Sequence, residues 1–484
     1  MNTILLEPND VLFFSDGRPM SGSLAGHGAA WPLPNVVSAA LHAALHRAEV
    51  GEVAIHLRAR SGQILSHDRE KHGRKFGAML SAGPFPVRRC EAGTNCWFFP
   101  RPADAPKRGS LAVTLHPSGG LAGMEEVWQN SSLPAPLRFA VRSADGQDKG
   151  NPPETWVSGE AIEAYLDEME GAGGAGHFAG DGDVADREQR IGIEIDPATQ
   201  SAGRGEAEGK IYSAHYLRLR RQWRLGVVAS AADNRARCDL LPNVIRDDRR
   251  IVIGGQQRIC TAEVVPGGGA EPGPLPLPLG RRRHFLTRNR KWLVKWVLLS
   301  PAIWPEIAAR TSARGTKVRA HPGGWLPNWV FLDWDEETGK DKPHPDNGLV
   351  LLTAGPGLRK AERVRSSAGS PIAARLAAAI VPKPLVVTGW SLGDKRLGSE
   401  GHPGAKSTHL AVPAGAVYYF EAHSEAAAIA LADALNWHGA TPGTEIRNHR
   451  STLMGEKGFG LGVCGTWRFC EEAARLDNQQ STKS

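Results

Sequence analysis

The stretch Thr3–Leu45, TILLEPNDVLFFSDGRPMSGSLAGHGAAWPLPNVVSAALHAAL, decides the reading of the fold. Thr3 to Leu6 is a short apolar run ended by Pro8. Val11 to Phe14 is a second, followed by the turn Ser15-Asp16-Gly17-Arg18-Pro19. A loop of small residues runs from there to Pro34. Val36, Val37, Ala40, Leu41, Ala44 and Leu45 then recur at helical spacing, which predicts an amphipathic helix from Asn35 to Arg47 with Asn35 as its cap. Val53 to Leu57 alternates as a strand. A β–loop–α–β opening of this kind suits a ferredoxin-like unit.

The pattern continues outward from that opening. Ser158 to Met169 reads as a helix capped by Ser158. Arg190–Ile195, Lys210–Leu219, Gln222–Val228 and Arg249–Ile253 read as strands from their β-branched and aromatic content. Pro266–Gly280, PGGGAEPGPLPLPLG, is dense in Pro and Gly and reads as a linker. Beyond it, Trp292–Leu299, Trp329–Trp334, Pro384–Thr388 and Ala416–Glu421 read as strands, and Pro371–Ile380 and Ser424–Trp437 as helices. Glu336–Asn347 is a polar insertion and Gly458–Gly465 a glycine loop. The expected class is α+β: two ferredoxin-like, RRM-like folds with long loop insertions, over residues 1–270 and 281–484, joined by the linker 266–280.

Composition narrows the functional classes. A chain of 484 residues with 41% hydrophobic and 23% charged residues can bury two or three ordinary cores. The 56 glycines and 34 prolines follow no period, so a collagen-like reading fails and a loop-rich one remains. Lys and Arg exceed Asp and Glu by 58 − 51 = 7. The excess clusters: Arg281, Arg282, Arg283, Arg288, Arg290, Lys291 and Lys295 fall in one stretch without an acid, and Arg218, Arg220, Arg221 and Arg224 in another. Polyanions favour such clusters through counterion release, and a solvated basic face is the plain alternative. No two of the six cysteines have CxxC spacing, which argues against zinc and thioredoxin-type sites. The start lacks the basic and apolar regions of a signal peptide, and no apolar run reaches the ~18 residues of a membrane span. A soluble, cytoplasmic, reducing setting with core thiols is the expectation.

Several short motifs compete for a chemical role. Gly389-Trp390-Ser391-Leu392-Gly393 matches the GxSxG nucleophile elbow, with Asp433 and His438 or His449 following in triad order. The Gly/Pro-rich stretch after it cannot supply the required helix. Gly460-Leu461-Gly462-Val463-Cys464-Gly465 matches GxGxxG, but too little chain follows for a dinucleotide-binding unit. Asp181, Asp183 and Asp186 begin like a calcium loop and fail at Ala185 and Gly192. His67-Asp68 lacks a partner motif for a metal phosphohydrolase, and Asp333, Asp335, Glu336 and Glu337 read as a solvated acidic rim. His27, His42 and His46 offer a base for RNA cleavage, against the commoner structural role of a lone histidine.

Taken in order, many segments resemble the third subunit of the type III-B CRISPR (Cmr) effector complex, of the RAMP superfamily. Leu12, Phe13, Phe14, Asp16, Gly17, Arg18 and Pro19 match its most specific motif, and Trp31–Leu45 is similar to its proline-led first helix. Gly83-Pro84-Phe85, Trp97–Pro102, Arg190–Ile193, Gly209–Tyr212, Gly254-Gly255 with Arg258, Val387–Leu392, Val412–Glu421 and Gly458-Phe459-Gly460 follow in sequence. The departures are Ser391, where an acid is usual, and a long insertion before Arg187. The resemblance implies a subunit with no catalytic residue, metal or cofactor. It would sit at the foot of a hetero-oligomeric complex and hold the 5′ handle of the guide RNA. It would also contact the large polymerase-cyclase subunit and a backbone RAMP subunit, away from any membrane.

Read from their own chemistry, Asp16, Gly17, Arg18 and Pro19 form a constrained turn that can present Arg18 to a phosphate. Gly254, Gly255 and Arg258 are a second candidate, and Gly458, Phe459 and Gly460 a third. Trp390 could stack a base, as could Phe14 and Trp31, though core packing suits each of the three as well. A guide-processing endoribonuclease with a histidine base and an esterase using Ser391 are the alternatives.

Overall fold

The computed structural model describes residues 1–14, 31–48, 79–90, 93–117, 136–143, 151–167, 176–193, 195–196, 199–201, 211–233, 238–265, 273–311, 317–353, 371–391 and 404–470. The Asp16–Pro19 turn and the Val53–Leu57 strand lie outside them.

The N-terminal half is built from β1 (Asn2–Pro8), α1 (Pro34–Arg47), β2 (Met79–Arg89), β3 (Asn95–Pro100), α2 (Gly159–Leu166), β4 (Ala185–Ile193), β5 (Ile211–Leu219), β6 (Trp223–Asp233), α3 (Leu241–Asp247), β7 (Arg250–Ile253) and β8 (Arg258–Val265). Four of these strands pair antiparallel in the order β8-β1-β6-β2. Counted along the chain that is 4-1-3-2, with α1 after the first strand and α3 after the third, which is the ferredoxin-like βαββαβ arrangement. The apolar run at the start is legible in the result. Ile4 and Leu6 point to the side covered by α1 and α3, whereas Leu5 points into a different core. Two-sided burial explains why the run is continuous rather than alternating.

The C-terminal half repeats the order with β9 (Thr287–Arg288), β10 (Lys291–Leu298), β11 (Ala374–Ile380), β12 (Leu385–Val387), β13 (Trp390–Ser391), β14 (Gly404–Ala405), β15 (His409–Ala411), β16 (Val417–Ala422), α4 (Glu425–Leu435) and β17 (Gly462–Thr466). Its main sheet runs β17-β10-β16-β11, again 4-1-3-2. Among the described residues no helix fills the first crossover. Trp304, Leu326, Trp329, Val330 and Val350 of the long connection pack with α4 over Val294, Trp296, Tyr418 and Phe420 instead. The opposite faces of the two sheets share one core. Leu5, Phe85, Val87 and Val228 meet Leu293, Val297, Val417, Tyr419 and Val463 there, joined by Ile162, Tyr165 and Leu166 of α2.

Ser158 caps α2, accepting from Ala161 N at 3.2 Å, and Ser424 caps α4, accepting from Ala427 N at 3.1 Å. The Ser158 cap matches the sequence reading.

Other elements differ from it. Asn35 lies inside α1, which starts on Pro34, so the rigid φ of proline rather than an Asn cap begins the helix. Pro371–Ile380 is not a helix. Its alanines form edge strand β11, because Val417–Ala422 on one side and the amides of Arg138 and Phe139, both bonded to Ala377 O, offer backbone partners that outweigh alanine's helix preference. Trp329–Trp334 is mostly loop, with an isolated bridge between Val330 and Val350. The second part of the expected glycine loop is strand β17, packed against β10. The described part of the supposed linker, Gly273–Gly280, is a packed strap. Leu275 and Leu277 are buried, Trp437 Nε1 donates to Pro278 O, and Glu163 accepts from the Leu279 and Gly280 amides. Its alternating prolines and leucines offer one apolar face, which the shared core takes up.

The cysteines depart from the expectation of plain core thiols. Cys90 and Cys96 form a disulfide across the β2–β3 turn and Cys238 is exposed, while Cys260 and Cys464 are buried. Among the described residues no helix is long and apolar enough to cross a membrane.

Candidate nucleic-acid interface

The Gly-Gly-x-x-Arg segment packs on the end of the opening motif. Gly254 has a φ of +71°, and a Cβ there would stand 2.5 Å from the Phe13 carbonyl oxygen. Gly255 N donates to that same oxygen at 2.9 Å. Only bare backbone fits so close an approach. Gly254 and Gly255 lie directly against Phe13 and Phe14, and Asp16–Pro19 lie outside the described residues.

The chain leaves Gly255 in an unusual path. Gln256 and Gln257 both take positive φ, 56° and 51°, where residues with a Cβ are uncommon. This path aims Gln256 Oε1 at Tyr216, whose hydroxyl donates to it at 2.7 Å, and at Arg258 Nη2, 3.0 Å away. Tyr216 arrives from β5, where it stands opposite Glu188 of β4. Its ring carries two guanidinium groups, Arg190 at 5.0 Å and Arg258 at 5.1 Å from the centroid. Phe13 packs at 5.4 Å.

Charge is balanced in favour of the cations. Arg190, Arg218 and Arg258 face Asp10 and Glu188, with Arg218–Asp10 at 3.0 Å and Arg218–Glu188 at 2.8 Å. Hydrogen bonds from Arg190 and Arg218 hold the Glu188 carboxyl below its ordinary pKa, so it stays ionised. Arg258 Nε is buried and has no acceptor among the described residues. Such an orphaned donor is costly. The result is a buried tyrosine ring, 6% exposed, that braces two partly exposed guanidinium groups, Arg190 at 40% and Arg258 at 25%, and such planar cations grip single-stranded nucleic acid by phosphate contact and stacking. Sequence reasoning found Gly254, Gly255 and Arg258 but missed Tyr216, Arg190, Gln256 and Asp10. The one signal for these was the β4–β5 register, which spacing alone does not provide.

The third candidate lies elsewhere. Gly458, at φ +93°, approaches β2, where a Cβ would stand 2.8 Å from Ser81 O. Phe459 is fully buried with Ile303, Val387 and Ala411. Gly460 abuts Ser451. The bare backbone of this loop approaches its own chain. Trp390 and Ser391 form strand β13, paired with Ala405 and Gly404. Phe14 is core, and Trp31 leans on Trp156 and donates from Nε1 to Pro84 O.

The remaining motifs resolve into packing. Ser391 stands in an antiparallel ladder with Gly404, and the residues after it that the hydrolase motif would make helical lie outside the described ones. Asp433 pairs with Arg282 at 2.7 Å, and His438 bonds the carbonyls of Thr441 and Leu279. Burial, helped by Arg450, pushes His449 down to about 4. Asp181 accepts from Trp156 Nε1, Asp183 from the Gly180 amide, and Asp186 pairs with Arg220. Asp335 pairs with Lys342. His42 is on α1; His27, His67, Asp68 and the side chain of His46 lie outside the described residues.

The basic clusters are not solvated faces throughout. Arg281 pairs with Asp167, Arg282 with Asp433, and Arg224 with Glu7. Lys295 is buried and donates to Tyr165 O at 3.1 Å. A run without acids in sequence meets its acids in space.

No curated protein matches this sequence. Solved structures with related folds include a chain of the type III-B Cmr-beta complex bound to cognate target RNA and AMPPnP, with 14% identity, 86% of each chain covered and a TM-score of 0.32. A chain of the Csm3–Csm4 subcomplex of the type III-A CRISPR-Cas interference complex has 9% identity, covering 88% of this chain and 97% of that one, with a TM-score of 0.32. The family model described as CRISPR-associated protein (Cas_Cmr3) matches residues 4–467, nearly the whole length, and the chain belongs to that family.

Proposed function

We propose that this protein is a non-catalytic, RNA-binding scaffold subunit of a type III-B CRISPR ribonucleoprotein effector complex. In this reading it holds the 5′ handle of the guide RNA and bridges the large polymerase-cyclase subunit to the RAMP backbone. Family membership supports a role in CRISPR defence. The observation that carries the RNA reading is the Tyr216 ring flanked by Arg190 and Arg258, beside the glycine pair that packs on Phe13. Arg258 and Arg190 would meet phosphates, and Arg18 would add another contact. The guanidinium planes would receive bases. Target cleavage and cyclic-oligonucleotide synthesis would then belong to the partner subunits.

The test is to purify the tagged protein from its own host and sequence the RNA that accompanies it. Guide RNAs sharing one 5′ end, together with a large partner subunit, are the expected result. Recovery as a lone chain without RNA would overturn the reading.

A further inference from the structure

The turn between β9 and β10 has two residues, Asn289 and Arg290, since Arg288 pairs directly with Lys291. Both take positive φ, 47° and 60°. A two-residue hairpin turn of this hand prefers Asn-Gly. Asn289 fits that preference, but an exposed arginine occupies the glycine position, against its backbone preference. Strain held at a surface position calls for a role for the side chain.

The neighbours of Arg290 are cationic. Arg288 and Lys291 turn back onto Glu421, at 2.7 Å and 3.4 Å, and Arg138 of the N-terminal half binds the same carboxylate. Phe139, Trp467 and Phe469 hold the Arg288 guanidinium, at 4.8, 5.2 and 4.7 Å from their ring centroids. Glu421 is 3% exposed, whereas Arg138 and Lys291 are 37% and 32% exposed. Three cations thus bind one carboxylate, which is withdrawn from solvent while Arg138 and Lys291 stay partly exposed. The surplus positive charge faces outward on a rigid turn.

We propose that Arg290, with Lys291 and Arg138, forms a phosphate-binding platform for the backbone of single-stranded RNA, separate from the Tyr216 contacts. This rests on the RNA-binding reading above. Planar, forked guanidinium donors on a stiff turn suit phosphodiester oxygens.

Arg290→Gly is the informative variant, because glycine suits the turn and removes only the charged side chain. Binding of a fluorescein-labelled oligouridylate to the full chain would be measured across a salt series, with Tyr216→Ala in parallel. Arg290→Gly is expected to weaken binding about threefold at low salt and to lower the salt slope by about 0.7 per lost phosphate contact. Adding Lys291→Gln should extend both effects. If wild type binds, Tyr216→Ala weakens it and Arg290→Gly leaves affinity and slope unchanged, the platform is overturned while the RNA reading stands. An acidic protein ligand in place of RNA would give that same unchanged result. If wild type does not bind the oligouridylate at low salt, both readings fall.

Discussion

Gly254 and Phe13 are locked together: the glycine's Cα approaches the Phe13 carbonyl oxygen so closely that an added Cβ would sit 2.5 Å away, with the Phe14 ring 2.8 Å off on another side. The contact joins the second half of the N-terminal fold to the opening motif at Phe13 and Phe14. Gly254→Ala should therefore be costly twice over, through its positive φ and through the clash. We expect a loss of about 2–3 kcal/mol, read as a lower denaturant midpoint with an unchanged slope. A midpoint equal to wild type would show that the close approach is absent in solution.

The Tyr216 stack makes a graded prediction for RNA. Tyr216→Phe keeps the ring and removes only the hydroxyl bond to Gln256, so affinity should fall slightly. Tyr216→Ala removes the buried ring that braces Arg190 and Arg258 and should weaken binding most, and Arg258→Ala should fall between the two. Arg18→Ala should weaken handle-RNA binding without unfolding the chain. Equal affinities for all four variants at matched salt would exclude this surface from the interface.

Much of the fold was legible because local and global signals agree. The helix from Pro34 to Arg47, the cap at Ser158, the helix after Ser424, and strands at Arg250–Ile253 and Val417–Ala422 each carry their own periodicity or end signal. The failures occurred where a partner distant in sequence decides. Ala374–Ile380 has a helix-forming composition and becomes a strand because β16 lies beside it. Pro274–Leu279 resembles a solvated linker until Leu166, Trp437 and Ile446 supply the core its leucines enter. The candidate site shows the same division. Gly254, Gly255 and Arg258 stand out in sequence because glycine pairs do, whereas Tyr216 acquires meaning only when the hairpin register sets it opposite Glu188 and near Arg190.

Glu421 should be the most sensitive acid in the C-terminal half. Burial alone would raise its pKa, but Arg138, Arg288 and Lys291 outweigh that and hold it below the ordinary carboxylate value. A lowered folded-state pKa means the stabilisation is present above the unfolded value near 4.5 and is lost as pH falls through the folded value. Glu421→Gln leaves three cations without their acid and should cost about 3–5 kcal/mol. It should also flatten the acid limb of the stability curve, measured by urea unfolding between neutral and acidic pH. A Gln variant as stable as wild type would mean that the cations find solvent or other partners at no cost.

His449 predicts a loss at higher pH than Glu421 does. Its Nδ1–H donates to Gly455 O, 2.8 Å away, and burial beside Arg450 pushes its pKa down to about 4. The ordinary value is 6.5, so the folded protein holds the ring neutral while the unfolded chain would protonate it. The stabilisation is complete above about pH 6.5 and declines as pH falls toward 4, by at most about 1.4 kcal/mol per pH unit. Because His449 borders the Gly455–Gly458 turn that seats against β2, protonation should loosen that contact first. Amide hydrogen exchange at Gly458–Gly460 should therefore accelerate between pH 6.5 and 4, beyond the intrinsic pH dependence, while exchange in β10 and β16 stays slow. Removing the titrating ring with His449→Gln should abolish the pH dependence specific to the loop. If the dependence persists in that variant, another group controls it.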